Sequence, residues 1–223
     1  KRFEHESDRL LAVLVDRSSS MDFRSEPHLP TKFEWARLIA SGLAFLHLRA
    51  GERVMLSPYD DQPVAAAHER RGGALLGELI RPLFTPPERN RRTSLRRAVE
   101  GIQNLPFRSS LVVLSDFLED DLVNALASLR GFTARGVDLQ LILLFDPAEA
   151  RFSFDRAVRV EGCEGEEPIE IMPDRALEEA YNQAIDAHRA SVQNLALTLG
   201  AEAFFFETSM DPVAALASIL KRK

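Results

Sequence analysis

The sequence has little of what a secreted or membrane-spanning protein usually carries. Its single cysteine, Cys163, excludes an internal disulfide and favours a reducing compartment. No apolar run approaches the roughly 20 residues that cross a bilayer, and no signal peptide is visible. We therefore expect a cytoplasmic domain without membrane contact. Because the sequence begins at Lys1 rather than methionine, we also expect a fragment of a longer protein that could be membrane-anchored elsewhere.

Several common catalytic and binding signatures are also missing. There is no Gly-x-Ser-x-Gly nucleophile elbow and no Gly-x-x-x-x-Gly-Lys phosphate loop. The five histidines show no i, i+4 pair of the kind that binds zinc on a helix. A net charge of −6 disfavours binding to nucleic acid. Serine hydrolases, P-loop nucleotide hydrolases and histidine metal sites therefore lack support.

The most informative segment present is an apolar run that ends abruptly on oxygen-bearing side chains. Residues 10–15 are all apolar, and Asp16 and three serines follow. Such a run predicts a strand buried on both faces, and ligand sites of parallel α/β sheets lie beyond the carboxyl ends of their strands. Asp16, Ser18 and Ser20 offer hard oxygen donors suited to Mg²⁺. A serine-rich turn that bonds its own backbone explains the same residues equally well.

The rest of the chain alternates between predicted strands and helices. Thr31 and Glu34 form a capping box before a helix that ends near Gly51. Asp174 caps a long helix that runs to about Leu199. At 223 residues, this pattern predicts an α/β, doubly wound, mostly parallel central sheet with helices on both faces. We predict a lead-in segment over residues 1–9 and a single domain over 10–223.

Three finer features complete the predicted fold. A short antiparallel edge strand is expected over Val64–Ala67, after a turn rich in aspartate and proline. One helix is expected over Leu122–Arg135, ended by Gly136. A small surface hairpin is expected near residues 157–172, around a turn rich in glycine and glutamate.

Two further oxygen donors are expected near the first strand end. Residues 111–114 form a second buried strand that stops at Ser115 and Asp116. If the two strands are neighbours, both aspartates meet at one edge of the sheet. Thr93 precedes a predicted helix and could add a hydroxyl to this cluster, although a threonine there also serves as an ordinary N-cap.

These residues resemble the metal-ion-dependent adhesion site of von Willebrand factor A-like domains. The resemblance rests on Asp16, Ser18, Ser20, Thr93 and Asp116, in that order on these elements. It implies a von Willebrand factor A-like, Rossmann-type topology and one bound Mg²⁺ (or Mn²⁺ or Ca²⁺). It also implies that the serines and Thr93 bind the ion directly or through water, while the aspartates bond the serines and metal-bound waters. An acidic residue of a protein partner would complete the coordination.

The resemblance extends to a bacterial subfamily of uncharacterised proteins. It is carried by residues 32–36, 50–54 and 113–117, and by the hairpin, the long helix and residues 199–202. Members are commonly associated with MoxR-type AAA+ ATPases, which implies an adaptor role for this chain. It therefore resembles a protein-binding module rather than an enzyme.

One residue departs from the pattern, and two other functions stay open. Arg92 stands where the family often has glycine before its threonine, so Ser94 could replace Thr93 if the loop is distorted. The first alternative function is a metal-free scaffold. The second is a Mg²⁺-dependent phosphohydrolase, although Ser18 occupies the position where haloacid-dehalogenase-type phosphatases need a second aspartate.

Overall fold

A six-stranded sheet forms the centre of the computed structural model, which describes residues 9–62, 69–71, 76–88, 90–102, 105–152, 158–160, 167 and 169–221. Its strands are β1 (Leu10–Asp16), β2 (Arg53–Tyr59), β3 (Arg70–Arg71), β4 (Ser110–Ser115), β5 (Asp138–Phe145) and β8 (Glu202–Glu207). The strand order is β3-β2-β1-β4-β5-β8, and every neighbouring pair is parallel except β2 with β3. The predicted doubly wound α/β fold is confirmed.

Helices cover both faces of this sheet and bury two separate hydrophobic cores. The helices are α1 (Lys32–Arg49), α2 (Leu76–Ile80), α3 (Leu95–Glu100), α4 (Leu122–Ala127), α5 (Arg130–Ala134), α6 (Pro147–Ala150), α7 (Arg175–Leu199) and α8 (Pro212–Leu220). One core packs beneath α3, α4, α5 and α7, and the other beneath α1, α2 and α8. Among the described residues, no helix is long and apolar enough to cross a membrane.

Strand β1 lies in the middle of the sheet, which explains its unbroken apolar sequence. All seven of its residues are buried, because β2 and β4 flank it and helices cover it on both sides. Side chains at even positions of β1 face one core, and those at odd positions face the other. Asp16 is the last residue of this strand, so the sheet itself positions the first carboxylate.

Helix α1 begins where the sequence predicts. The Thr31 hydroxyl accepts a hydrogen bond from the Glu34 backbone N–H, and the Glu34 carboxylate accepts one from the Thr31 N–H. Gly51 follows the helix with a φ of +78°, a conformation that glycine adopts without strain. Local signals also define both ends of α7, because Asp174 caps its start and Gly200 ends it.

The predicted helix over Leu122–Arg135 is wrong in one respect, because the structure divides it into α4 and α5. Backbone bonds across the break join residues three apart, from Leu129 N–H to the Leu126 carbonyl and from Phe132 N–H to the Leu129 carbonyl. This tighter spacing aligns all three side chains toward the core, where they are buried. Packing therefore overrides the continuous helical pattern.

The small antiparallel elements agree in part with the predictions. The hairpin near residues 157–172 is present as β6 (Val158–Val160) paired with β7 (Ile169–Ile171). The described antiparallel edge strand is β3, and the predicted strand over Val64–Ala67 lies outside the described residues.

Candidate functional site

The site lies beyond the carboxyl ends of β1 and β4, which are neighbouring strands. Because Val15 pairs with Leu114, Asp16 and Ser115 come side by side, and Asp116 follows one residue later. Both aspartates are completely buried. The topology therefore brings the two predicted carboxylates to one edge of the sheet.

Asp16 is fully engaged by donors from three segments of the chain. Its Oδ1 atom accepts a hydrogen bond of 2.8 Å from the Ser18 backbone N–H. Its Oδ2 atom accepts bonds of 2.8 Å from the Thr93 hydroxyl and 2.6 Å from the Ser115 hydroxyl. Each donor stabilises a negative charge at this position. Thr93 therefore reaches the site as predicted, and Ser115 is an additional participant that the predicted residue set omits.

The two remaining predicted oxygens lie above the strand ends. The Ser18 and Ser20 hydroxyls are 3.2 Å apart and can hydrogen-bond each other. The Ser20 hydroxyl also bonds Asp116, which helps to lower the pKa of that carboxyl. All five predicted site residues thus form one cluster, in which Ser20 and Thr93 are only half-buried.

Ser19, the middle serine of the motif, forms hydrogen bonds that connect the loop after β1 to the loop that carries Thr93. Its hydroxyl donates to the Glu88 carbonyl at 3.1 Å and accepts from the Arg91 backbone N–H at 2.7 Å. Its own backbone N–H donates to the Arg91 carbonyl at 2.8 Å. No local sequence pattern predicts these contacts of Ser19, because its partners lie about 70 residues away in the sequence.

Arg92 does not distort the loop that carries Thr93. The left-handed residue of this loop is Asn90, with a φ of 60°, and Arg92 is not among the residues with positive φ. Asparagine tolerates that conformation better than arginine would. The Arg92 guanidinium instead reaches Asp120 at 3.5 Å on the surface. Ser94 makes no capping bond with its side chain, and the hydroxyl that bonds Asp16 is that of Thr93.

A buried lysine is the main feature of the site that motif-based reasoning missed. The Lys32 ammonium is fully buried and lies 2.8 Å from Asp116 Oδ2 and 2.7 Å from Glu149 Oε1. Burial alone would lower the pKa of Lys32, but the two carboxylates raise it above its ordinary value. The helical period could have predicted this burial, because Lys32 lies on the same buried face of α1 as Ala36 and Ile39.

The two aspartates differ in their electrostatic surroundings. Burial and the nearby negative charge of Asp116 raise the pKa of Asp16 to about 6. Burial would also raise the pKa of Asp116, but the Lys32 ammonium outweighs burial and holds that pKa below its ordinary value. Burial, assisted by the charge of Asp16, raises the pKa of the half-buried Glu119 to about 7. Ionisation is therefore unfavourable at Asp16, whereas the Lys32 ammonium compensates the negative charge of Asp116.

Tyr59 leaves a buried hydroxyl unsatisfied next to this cluster. It pairs with Asp16 in the register of β1 and β2 and is almost completely buried. Its hydroxyl lies close to the Ser115 and Thr93 side chains, and burial together with the charge of Asp16 raises its pKa well above the usual range. Within the described part of the chain, it forms no hydrogen bond of acceptable geometry. A buried polar atom of this kind usually has a water or ligand as its partner.

Two solved structures share the fold. The structure of the conserved hypothetical protein BatB from Bacteroides thetaiotaomicron matches with a TM-score of 0.52 and 12% identity, over 95% of each chain. The SpRpn10 VWA domain matches with a TM-score of 0.52 and 11% identity, over 96% of each chain. At this level of identity they support the fold alone, and that fold is von Willebrand factor A-like.

Sequence comparisons identify longer relatives and a family. The uncharacterized proteins Rv1480 of Mycobacterium tuberculosis and Mb1516 of Mycobacterium bovis are each 26% identical over 205 residues, or 91% of this chain. The chain spans 63% of the length of these curated relatives. The family model described as "Protein of unknown function DUF58" matches residues 1–191. This chain therefore belongs to the DUF58 family.

Proposed function

We propose that this chain is a protein-binding module that contacts its partner through a divalent ion, preferably Mg²⁺, with Mn²⁺ or Ca²⁺ as alternatives. The hydroxyls of Ser18, Ser20 and Thr93 would hold the ion, while Asp16 and Asp116 would orient those hydroxyls and metal-bound waters. When bound, the ion supplies a positive charge with a coordination position for an acidic residue of the partner.

The observation that carries this proposal is how the hydroxyl protons are used. A hydroxyl has one proton and two lone pairs. Thr93 donates its proton to Asp16, so its oxygen lone pairs stay available to a cation. Ser18 and Ser20 lie within hydrogen-bonding distance of each other, and Ser20 also bonds Asp116. The aspartates accept hydrogen bonds, and the neighbouring hydroxyl oxygens keep free lone pairs. Such oxygens are the ligands that a hard cation needs.

Two further features fit a hydrated ion. The unsatisfied Tyr59 hydroxyl would gain a hydrogen-bond donor in a metal-bound water. The three carboxylates of Asp16, Asp116 and Glu149 and the ammonium of Lys32 sum to a charge of about −2 when all are ionised, which a divalent cation balances. The partial exposure of Ser20 and Thr93 leaves the site open to a partner from above the sheet.

Thermal unfolding in the presence of Mg²⁺, Mn²⁺ or Ca²⁺ tests the metal site. A cation that binds only the folded chain raises the melting temperature in proportion to ln(1 + [M]/Kd). We expect this rise in the wild type and its loss in Asp16→Ala. Thr93→Val keeps the side-chain shape but removes the hydroxyl, so it should also reduce the rise. Ser94→Ala is the matched control and should leave it unchanged; a rise that persists in Asp16→Ala refutes the site.

Partner capture tests the protein-binding part of the proposal. The partner class suggested by the family resemblance is a MoxR-type AAA+ ATPase. We expect the immobilised chain to retain such an ATPase in Mg²⁺ and to release it in EDTA, with Thr93→Val retaining less. Retention that is identical in Mg²⁺ and EDTA would contradict a metal-bridged contact.

The metal-free scaffold remains a second candidate because one observation favours it. Asp116 already has a cation in contact, the Lys32 ammonium at 2.8 Å. A site whose carboxylate is neutralised from within the chain can keep its loops in place without metal. The absence of a melting-temperature rise with all three metals would favour this alternative.

A further inference from the structure

We propose that Lys32 is a built-in counter-cation of the site: it holds Asp116 in place when no metal is bound and weakens the binding of a divalent ion. This inference rests on the proposed metal-dependent function and specifies how the affinity of the same site is set. It is carried by the contacts of a lysine that lies in the core rather than at the surface.

The position of Lys32 is one that a lysine rarely occupies without strong compensation. Its side chain is 0% exposed, and lysine is almost never fully buried unless it is paired. It is also the first residue of α1, where the helix dipole disfavours a positive charge. Asp116 and Glu149 provide that compensation through two short ion pairs. The ammonium is therefore held in place from both sides.

These ion pairs connect the site to elements that carry none of the proposed ligands. Glu149 lies in α6, where its second carboxylate oxygen accepts from the Asp146 backbone N–H at 3.0 Å. The Glu149 carbonyl accepts a bond of 3.1 Å from the Tyr181 hydroxyl of α7. Asp146 in turn accepts from the Ser25 backbone N–H at 2.9 Å, in the loop after β1. Lys32 thus links the start of α1 to the end of β4 and to α6.

The charge of Lys32 acts against a metal ion in two ways. Its ammonium takes one lone pair of Asp116 Oδ2, so this oxygen attracts an ion or a metal-bound water less strongly. A fixed positive charge in the same buried cluster also repels a second cation, and the repulsion is poorly screened away from water. Glu149 offsets part of this repulsion because it shares the ammonium with Asp116. The affinity for a divalent ion should therefore rise as the net charge of the cluster that contains Lys32, Asp116 and Glu149 becomes more negative.

Two substitutions change that net charge in opposite directions. Lys32→Met removes the positive charge and keeps an unbranched side chain in the core, so the cluster becomes more negative by one unit. Glu149→Gln removes a negative charge but retains a carbonyl oxygen that can accept from the Asp146 N–H, so the cluster becomes less negative by one unit. The double variant restores the wild-type net charge. Lys221→Met removes the charge of an exposed lysine and is the matched control.

Mn²⁺ binding measured by electron paramagnetic resonance, together with metal-free melting temperatures, tests the inference. We expect Lys32→Met to bind Mn²⁺ at least about tenfold more tightly than the wild type and Glu149→Gln to bind it more weakly. The double variant and Lys221→Met should stay near the wild type. Metal-free Lys32→Met should melt at a lower temperature, because the buried Asp116 and the partly exposed Glu149 lose their counter-ion, and Mn²⁺ should restore most of the difference.

The possible results separate this inference from the proposed function. If the wild type binds Mn²⁺ and Lys32→Met binds it no more tightly, the counter-cation role is overturned while the metal site stands. If only Lys32→Met binds Mn²⁺, the inference is supported and the wild type is a metal-free scaffold. If neither chain binds Mn²⁺, both proposals fail. Should Lys32→Met not fold, unchanged or tighter binding by Glu149→Gln overturns the inference.

Discussion

Ionisation of Asp16 should make the metal-free protein less stable as the pH rises. Burial and the nearby charge of Asp116 raise the pKa of Asp16 from 3.8 to about 6. A carboxyl group with a higher pKa in the folded chain binds its proton more tightly there than in the unfolded chain. The contribution of Asp16 to the free energy of unfolding therefore falls with pH between the two pKa values, and it is constant outside them.

The size of the loss follows from this shift. Each pKa unit corresponds to about 1.4 kcal/mol, so a shift of about two units makes Asp16 responsible for a loss of about 3 kcal/mol between pH 4 and pH 6. Asp16 is completely buried, so solvent screening does not reduce this value. In Asp16→Asn the group cannot ionise, and this part of the pH dependence should disappear.

Urea denaturation in EDTA, in steps from pH 4 to pH 7.5, measures the effect. The relevant quantity is the wild-type free energy of unfolding minus that of Asp16→Asn, because titrating groups that do not interact with Asp16 cancel in the difference. We expect this difference to become less favourable to the wild type by about 3 kcal/mol as the pH rises. Asp120→Asn, which removes a carboxylate at the surface, is the control. A pH-independent difference for Asp16→Asn would mean that folding does not raise the pKa of Asp16, which would refute the burial argument.

Two further predictions concern the local contacts that position the site. Ser19→Ala removes two hydrogen bonds between the β1 loop and the 88–91 loop, so it should cost about 1–2 kcal/mol in urea denaturation and weaken Mn²⁺ binding, because Thr93 loses its support. An Mn²⁺ affinity equal to that of the wild type would show that Thr93 is positioned without this contact. Thr31→Ala breaks the capping box of α1 and should lower the free energy of unfolding by about 1 kcal/mol, measured the same way. The corresponding Thr31→Ser variant should lose little, and an equal loss in both would contradict the capping role.

The predicted site residues were found together because their placement depends on strand order and strand ends. Apolar runs that stop on Asp16 and Ser115 identify two buried strands, and neighbouring parallel strands end at the same edge. Thr93 was a candidate because it precedes a predicted helix, the family resemblance supported it, and in the structure its hydroxyl bonds Asp16. Whether these oxygens bind a metal stays a prediction, as do the partner and the absence of catalysis.

Features that depend on neighbouring residues could be predicted from the amino-acid sequence alone. Strand and helix alternation, the capping box at Thr31 and the end of α7 at Gly200 all follow from periodicity and from hydrogen bonds within a few residues. Such signals operate within one element and need no knowledge of the fold. They were sufficient to predict the doubly wound sheet and the edge at which the site lies.

The side chains that compensate the buried charges are brought together by long-range packing. Lys32 meets Asp116 across 84 positions of sequence, and Ser115 meets Asp16 across 99. Such pairings depend on how α1 and β4 pack on the sheet, and a local pattern contains no information about that packing. The division of residues 122–135 into two helices has the same origin, because burial of Leu126, Leu129 and Phe132 outweighs helical continuity. A buried charge needs a partner of opposite charge, and the packing of the chain determines which residue provides it. Here Lys32 lies beside Asp116.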